Sequence, residues 1–255
     1  MVTRLTPERH DLIWGSRDTE PWYQNPKRLR TAEVWFPSGE LLIKFLFTTE
    51  NLSVQVHPND EQAQKVGQPR GKTEMWHILR AEPGAKLALG LKRAVSAAEL
   101  KAAAVDGSIV DLLNWITAVP GQTFFVPAGT IHAVGAGIAL CEIQQLADIT
   151  YRLFDWGRGR ELHLEAGVGV SRLTPAGEAP VELPVKSLYF HTERVVIRGR
   201  LAVPATAEPV TWIAIEGSGE FAGRAFQPGD VFRASSALEI AASESVFLTT
   251  SERSR

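Results

Sequence analysis

PGQTFFVPAGTIHAVGAGIALCEIQQLADITYRLFDW, residues 120–156, holds three runs that read as strands: TFFVP (123–127), GIALCEIQ (137–144) and ITYRLFDW (149–156). Each is rich in β-branched and aromatic residues and is bounded by Gly, Pro or Asp. Between the first two, Pro127-Ala128-Gly129 makes a tight turn that presents His132. Glu142, Gln144 and Arg152 follow on the other two runs. A histidine on a rigid turn, beside a carboxylate and an arginine on neighbouring strands, suggests a metal site with chemistry next to it. The remaining ligands have to come from elsewhere in the chain.

Working upstream, KLALGL (86–91), KTEMWHIL (72–79), LSVQVHP (52–58) and LLIKFLF (41–47) all read as strands, the third ended by Pro58. Successive strand side chains alternate, so Ser53, Gln55 and His57 share one face, and Lys72, Glu74, Trp76 and Ile78 share another. Residues 1–40 read as irregular, with turn signals at Trp14-Gly15, Pro21-Trp22 and Asn25-Pro26. Between strands the period changes. Ser96 with Glu99 forms a capping-box pattern before an alanine-rich helix that Asp106-Gly107 ends, and SIVDLLNWI (108–116) reads as a second short helix. Residues 96–116 are thus expected to form a helical insertion.

Downstream, ELHLEAGVGVSRL (161–173) reads as a helix and the Pro-, Ala- and Glu-rich segment 174–187 as a linker. From Leu188 to Ser251 short β runs follow one another between turns, the pattern of a β-sandwich or small barrel. The expected organisation is mainly β: a unit over 1–173 with the insertion at 96–116, a linker over 174–187, and a second β unit over 188–255.

Gln55, His57, Glu74 and His132 supply two imidazoles, a carboxylate and an amide oxygen. This is a borderline-hard N/O set suited to Zn²⁺ and tolerable for Mn²⁺, Co²⁺ or Fe²⁺. Core-facing strand positions are costly places for such groups unless something satisfies them, and a metal would do so.

Composition narrows the classes. A formal net charge of −2 creates no field to attract nucleic acid or an anionic membrane, and no basic stripe interleaved with aromatics is present. Cys141 is the single cysteine, which excludes an intrachain disulfide framework and a thiolate-only metal site, and fits a reducing cytoplasm. No secretory leader and no membrane-length apolar run is evident, so a soluble, cytoplasmic protein without nucleic-acid or membrane partners is expected. Nucleotide-binding glycine loops and a serine nucleophile elbow are absent.

The spacing of Gly121, Pro127, Gly129 and His132 resembles the second signature of the cupin barrels, whose histidine is a metal ligand. More narrowly, SVQVHPND (53–60), GKTEMWHIL (71–79), VPAGTIHAVGAG (126–137) and EIQQLADITYRLFDWGR (142–158) together resemble type I mannose-6-phosphate isomerases, or phosphomannose isomerases, in their short bacterial form. His77 stands where an aromatic is often found, and Ala147 where a serine is common. The resemblance implies two cupin-like jelly-roll β-barrels, the second metal-free, with a helical insertion in the first. It also implies one Zn²⁺ per chain on Gln55, His57, Glu74 and His132, a small sugar phosphate as substrate, and Glu142 and Arg152 lining the active site.

On that basis the expected activity is interconversion of mannose 6-phosphate and fructose 6-phosphate through an enediol. Glu142 would be the base, its pKa raised by desolvation; Arg152 would stabilise the enediolate, and Lys72 would shuttle a proton or hold an anion. Ser53 is a candidate for the phosphate, with Arg158 and Arg160 just past the Arg152 strand. The alternative is a catalytically silent sugar-phosphate-binding cupin with a regulatory role. A cupin oxygenase is a third reading, favoured only by an iron site. The sequence leaves oligomeric state open.

Overall fold

In the computed structural model, which describes residues 1–253, the chain forms three antiparallel sheets. A five-stranded sheet runs, in spatial order, Tyr151–Phe154, Val54–Val56, His132–Val134, Lys86–Leu91 and Leu113–Thr117. A six-stranded sheet runs Glu8–His10, Glu33–Ser38, Leu41–Phe47, Ile138–Gln145, Glu74–Ala81 and Thr123–Val126. Leu46, Trp76, Leu140 and Phe124 of the six-stranded sheet join Leu87, Leu89 and Val134 of the five-stranded one in a single core, the filling of a jelly roll.

The third sheet has seven strands. Val2–Arg4, Val231–Ala234, Val210–Phe221, Leu238–Glu252, Phe190–Val203 and Val185–Lys186 lie in that order, and Arg224–Phe226 pairs on Val210–Phe221. Its long strands bend at bulges near Gly199 and Ala242, curling around a core of Trp212, Phe221, Phe232 and Phe247. Two segments read as irregular or linking belong to it: Val2–Arg4 pairs with Val231–Ala234, and Val185–Lys186 pairs with the start of Phe190–Val203. Of the second β unit expected over 188–255, the last two residues lie outside the described residues.

Strand alternation makes the six-stranded sheet a shared wall. Ile43, Phe45 and Phe47, with Ala139, Cys141 and Ile143, point away from the jelly-roll interior and pack with Phe190, Ile213, Ile215 and Leu248 of the third sheet. Each of the larger side chains contributes roughly 1.5–3 kcal/mol by leaving water. Cys141 is fully buried in this seam. Lys44 and Glu142, one residue along, face the other way, toward the five-stranded sheet, together with Leu46 and Leu140.

Three helices, Ala97–Asp106, Ile109–Leu112 and Leu164–Val170, cover the outer face of the five-stranded sheet. Ala97–Asp106 starts at Ser96, whose hydroxyl accepts from the Glu99 amide at 3.1 Å, and ends at Gly107 in the left-handed region (φ 87°). Only that half of the capping box forms, because the Glu99 carboxylate pairs with Arg93 instead. A complete box occurs at Asn59 and Gln62, starting a short helix, Asp60–Gln64, between the strands Val54–Val56 and Glu74–Ala81. The helix expected over 108–116 is corrected to Ile109–Leu112. Leu113–Thr117 is a strand, since Leu113, Trp115 and Thr117 pair with Leu91, Ala88 and Lys86 at the sheet edge. The helix expected over 161–173 is shorter, Leu164–Val170. Gly167 lets it approach closely, because a Cβ there would stand 2.6 Å from Leu153 Cδ2.

Candidate metal centre

Register across the two facing sheets builds the site. Arg152, Gln55 and His132 are cross-strand neighbours in the five-stranded sheet. In the six-stranded sheet, Trp35, Lys44, Glu142 and Trp76 form a second row, with Gln144 opposite Glu74 beside it. These rows meet around a cleft of about 350 Å³ lined by Ser53, Gln55, Lys72, Glu142, Arg152 and Arg160, among others.

His57, Glu74 and His132 bring one ligand atom each to within 4.8 Å of one another, and all three are buried. His57 Nε2 is 3.6 Å from Glu74 Oε2, and His132 Nε2 is 3.4 Å from Glu74 Oε1. Each ring is oriented from behind. His57 Nδ1 lies 2.9 Å from the Ile149 carbonyl and His132 Nδ1 2.9 Å from the Thr130 carbonyl. A carbonyl only accepts, so both Nδ1 atoms carry the proton and both Nε2 lone pairs face the carboxylate. Burial holds both imidazoles neutral, pushing His132 down to about 4 and His57 well below its ordinary value.

The donor set fits a metal on the structure's own terms. Both Glu74 oxygens are buried and receive no hydrogen bond, an arrangement costing several kcal/mol unless a cation compensates. Burial and the nearby Glu142 push the Glu74 carboxyl up to about 7. The cation the structure does place on these lone pairs is the Lys72 ammonium, 3.1 Å from Glu74 Oε2 and 3.2 Å from His57 Nε2. Gln55 completes the group, its amide Nε2 3.2 Å from His132 Nε2; turning that amide over presents the oxygen instead.

Glu142 lies alongside. Its Oε2 accepts from Trp76 Nε1 at 2.9 Å, while Oε1 has no hydrogen-bond donor, although Lys44 Nζ stands 3.4 Å and Lys72 Nζ 4.0 Å away. The expected upward pKa shift is corrected. Burial does push Glu142 up, but the Lys72 and Lys44 charges outweigh it and hold the carboxylate below its ordinary value. Lys72 is held protonated in turn, since the charges of Glu74, Glu142 and Glu33 overcome the downward pull of burial.

Arg152 donates from Nη1 to the Glu161 carbonyl at 2.7 Å, and its Nε has no partner. Arg158 is not in the cleft lining. It is bound to Asp155 at 2.9 Å and lies 3.6 Å from Glu50, whereas Arg160, on the same buried Asp155, lines the cleft. Sequence reasoning passed over Lys44 and Glu33, and took Trp35 only as the start of a strand and His10 as structural or surface; all four line the cleft. Lys44 is the one charge inside the apolar run LLIKFLF, and that was the available signal. It lies 3.3 Å from Glu33 and 4.4 Å from the centre of the Trp35 ring.

Fold and site together define a cupin with a buried His-Glu-His cluster between its five- and six-stranded sheets. No protein-family model matches the chain. It is 35% identical over 213 residues, 75% of its length, to a Bacillus subtilis (strain 168) protein described as "Probable mannose-6-phosphate isomerase GmuF", of which it spans 67%. The chain belongs to the mannose-6-phosphate isomerase family. A crystal structure of mannose 6-phosphate isomerase from Bacillus subtilis superposes with a TM-score of 0.85 at 25% identity, covering 97% of this chain and 98% of that one. A zinc-bound mannose 6-phosphate isomerase shares the fold, with a TM-score of 0.77 at 14% identity over 99% of this chain and 100% of that one.

Proposed function

We propose that this chain is a zinc-dependent aldose–ketose isomerase that interconverts mannose 6-phosphate and fructose 6-phosphate through an enediol. The observation that carries this reading is the position of a buried His57–Glu74–His132 donor set beside a cleft whose wall carries an ionised Glu142. Family membership and the zinc in a relative of the same fold support it.

His57, Glu74, His132 and the Gln55 amide oxygen would hold the ion. Zinc there supplies a Lewis acid that polarises substrate oxygens, worth several kcal/mol in the transition state. Glu142 Oε1 takes the C2 proton of the open-chain aldose while the C1 oxygen gains one, giving the enediol. Glu142 then returns its proton to C1 as the C2 hydroxyl loses its own, leaving the ketose. Lys72, protonated and 4.0 Å from Glu142 Oε1, supplies or recovers the oxygen-bound protons. Arg152 adds fixed positive charge where the enediolate develops. Ser53 and Arg160 on the cleft wall take the phosphate, with Arg158 adding charge behind them through Asp155.

The test is a coupled assay of fructose 6-phosphate formation with metal-loaded protein, run beside metal analysis. Turnover that is lost with the metal and restored by zinc is the expected result. Folded, zinc-loaded protein that binds mannose 6-phosphate without turning it over would instead establish the silent sugar-phosphate-binding cupin.

A further inference from the structure

The turn that delivers His132 is held from outside the sheet by Arg172, at the end of the stretch read as a helix, and Glu178, in the segment read as a linker. Gly129, at φ +85°, forms the turn, and its amide donates to the carbonyl of His57 at 2.8 Å. Its carbonyl accepts from the Arg172 amide at 2.8 Å. The Arg172 side chain then returns to the same turn, with Nη2 2.8 Å from Thr130 Oγ1 and 2.7 Å from Glu178 Oε1. Thr130 is the residue whose carbonyl fixes the His132 ring through Nδ1.

Glu178 is not a surface partner that happens to be near. Its side chain is 7% exposed, its second oxygen accepts from the Ala176 amide at 3.1 Å, and its carbonyl accepts from Asn114 at 3.3 Å. Gly90 makes room for it, since a Cβ there would lie 2.3 Å from Glu178 Cδ. The chain thus runs from a buried carboxylate through one guanidinium nitrogen, Arg172 Nη2, to the turn whose backbone orients a metal-ligand imidazole.

We infer that Arg172 and Glu178 form a positioning clamp that locks the Gly129–Thr130 turn and thereby holds His132 Nε2 on the metal. Arg172 touches no reacting atom and acts through Thr130. The inference rests on the metal reading above and predicts slower metal loss, independent of turnover. Groups that orient a ligand from behind are worth roughly 10–100-fold in metal affinity.

The experiment follows zinc release from holoenzyme into excess chelator with a colorimetric zinc indicator. Arg172→Met should release zinc at least roughly tenfold faster than wild type. Glu178→Gln should release it faster by a smaller factor, and Arg172→Lys, which keeps the charge on a shorter side chain, should fall between wild type and Arg172→Met. A control destabilised in the far core, Phe247→Leu, should release zinc at the wild-type rate even where its Tm matches that of Arg172→Met. Equal release from wild type and Arg172→Met overturns the clamp, as does acceleration of the same size in Phe247→Leu. Wild-type protein that takes up no zinc at all overturns the metal reading and the clamp together, whereas a zinc-loaded protein with an idle clamp removes only the latter.

Discussion

Lys44 and Glu142 stand opposite each other in register on adjacent strands, with Nζ 3.4 Å from Oε1. Both are buried, so the pair acts in a medium where charge is poorly screened. Its effect is to keep a desolvated carboxylate ionised, ready to accept a proton at neutral pH, rather than to let burial neutralise it.

Replacing Lys44 with Met should therefore raise the Glu142 pKa. An ionised base is lost as pH falls through its pKa, so the acid limb of the kcat/KM profile should move to higher pH. A pH–rate profile of the variant checks this. An unmoved limb would assign it to another group.

Glu142→Gln keeps the shape of the side chain and removes the base. Zinc content should stay at the wild-type level while kcat falls by roughly 10²–10⁴. Metal analysis and the coupled assay, run on one preparation, separate this from loss of the site.

His132→Ala should lose zinc and activity together. Dialysis against chelator followed by elemental analysis reads the first and turnover the second; a variant that remained fully active after dialysis would remove His132 from the ligand set.

Asp155 is 3% exposed and is shared by Arg158 and Arg160. Asp155→Asn should free both guanidiniums, raising KM for the sugar phosphate about tenfold with a much smaller change in kcat. Steady-state kinetics give the split, and a fall in kcat alone would place these arginines away from the phosphate.

His77 bears on stability rather than catalysis. Burial, helped by Arg194, pushes it down to about 4, and its Nδ1 lies 2.9 Å from Thr123 Oγ1. Above pH ~6.5 neither folded nor unfolded chain protonates this ring. As pH falls below that, the unfolded chain binds the proton first, and stability drops by roughly 3 kcal/mol by about pH 4. Denaturant unfolding of wild type and His77→Phe at several pH values should show a flatter acid dependence in the variant.

The strands and the four candidate ligands were legible because each follows from local alternation: Gln55 and His57 on one face, Glu74 two residues from Trp76, His132 after a glycine turn. Leu113–Thr117 was not legible, because four helical residues lead straight into it and the edge of a sheet formed with Lys86–Leu91 overrides the local period. Lys44 went unnoticed because alternation alone does not say which face of a buried strand meets a cleft. The roles of Arg158 and Arg160 depend on where Asp155 points, which is a matter of tertiary packing.

The six-stranded sheet has one further consequence. Along Leu41–Phe47 and Ile138–Gln145, even-numbered positions such as Lys44 and Glu142 line the cleft, while odd-numbered ones such as Phe45 and Cys141 pack against the third sheet. A single inserted or deleted residue in either strand would exchange the two sets, sending charge into an oily seam and aromatic rings into the cleft. The cleft wall and the packing of the third sheet are therefore encoded in one reading frame of side chains, and neither can drift without the other.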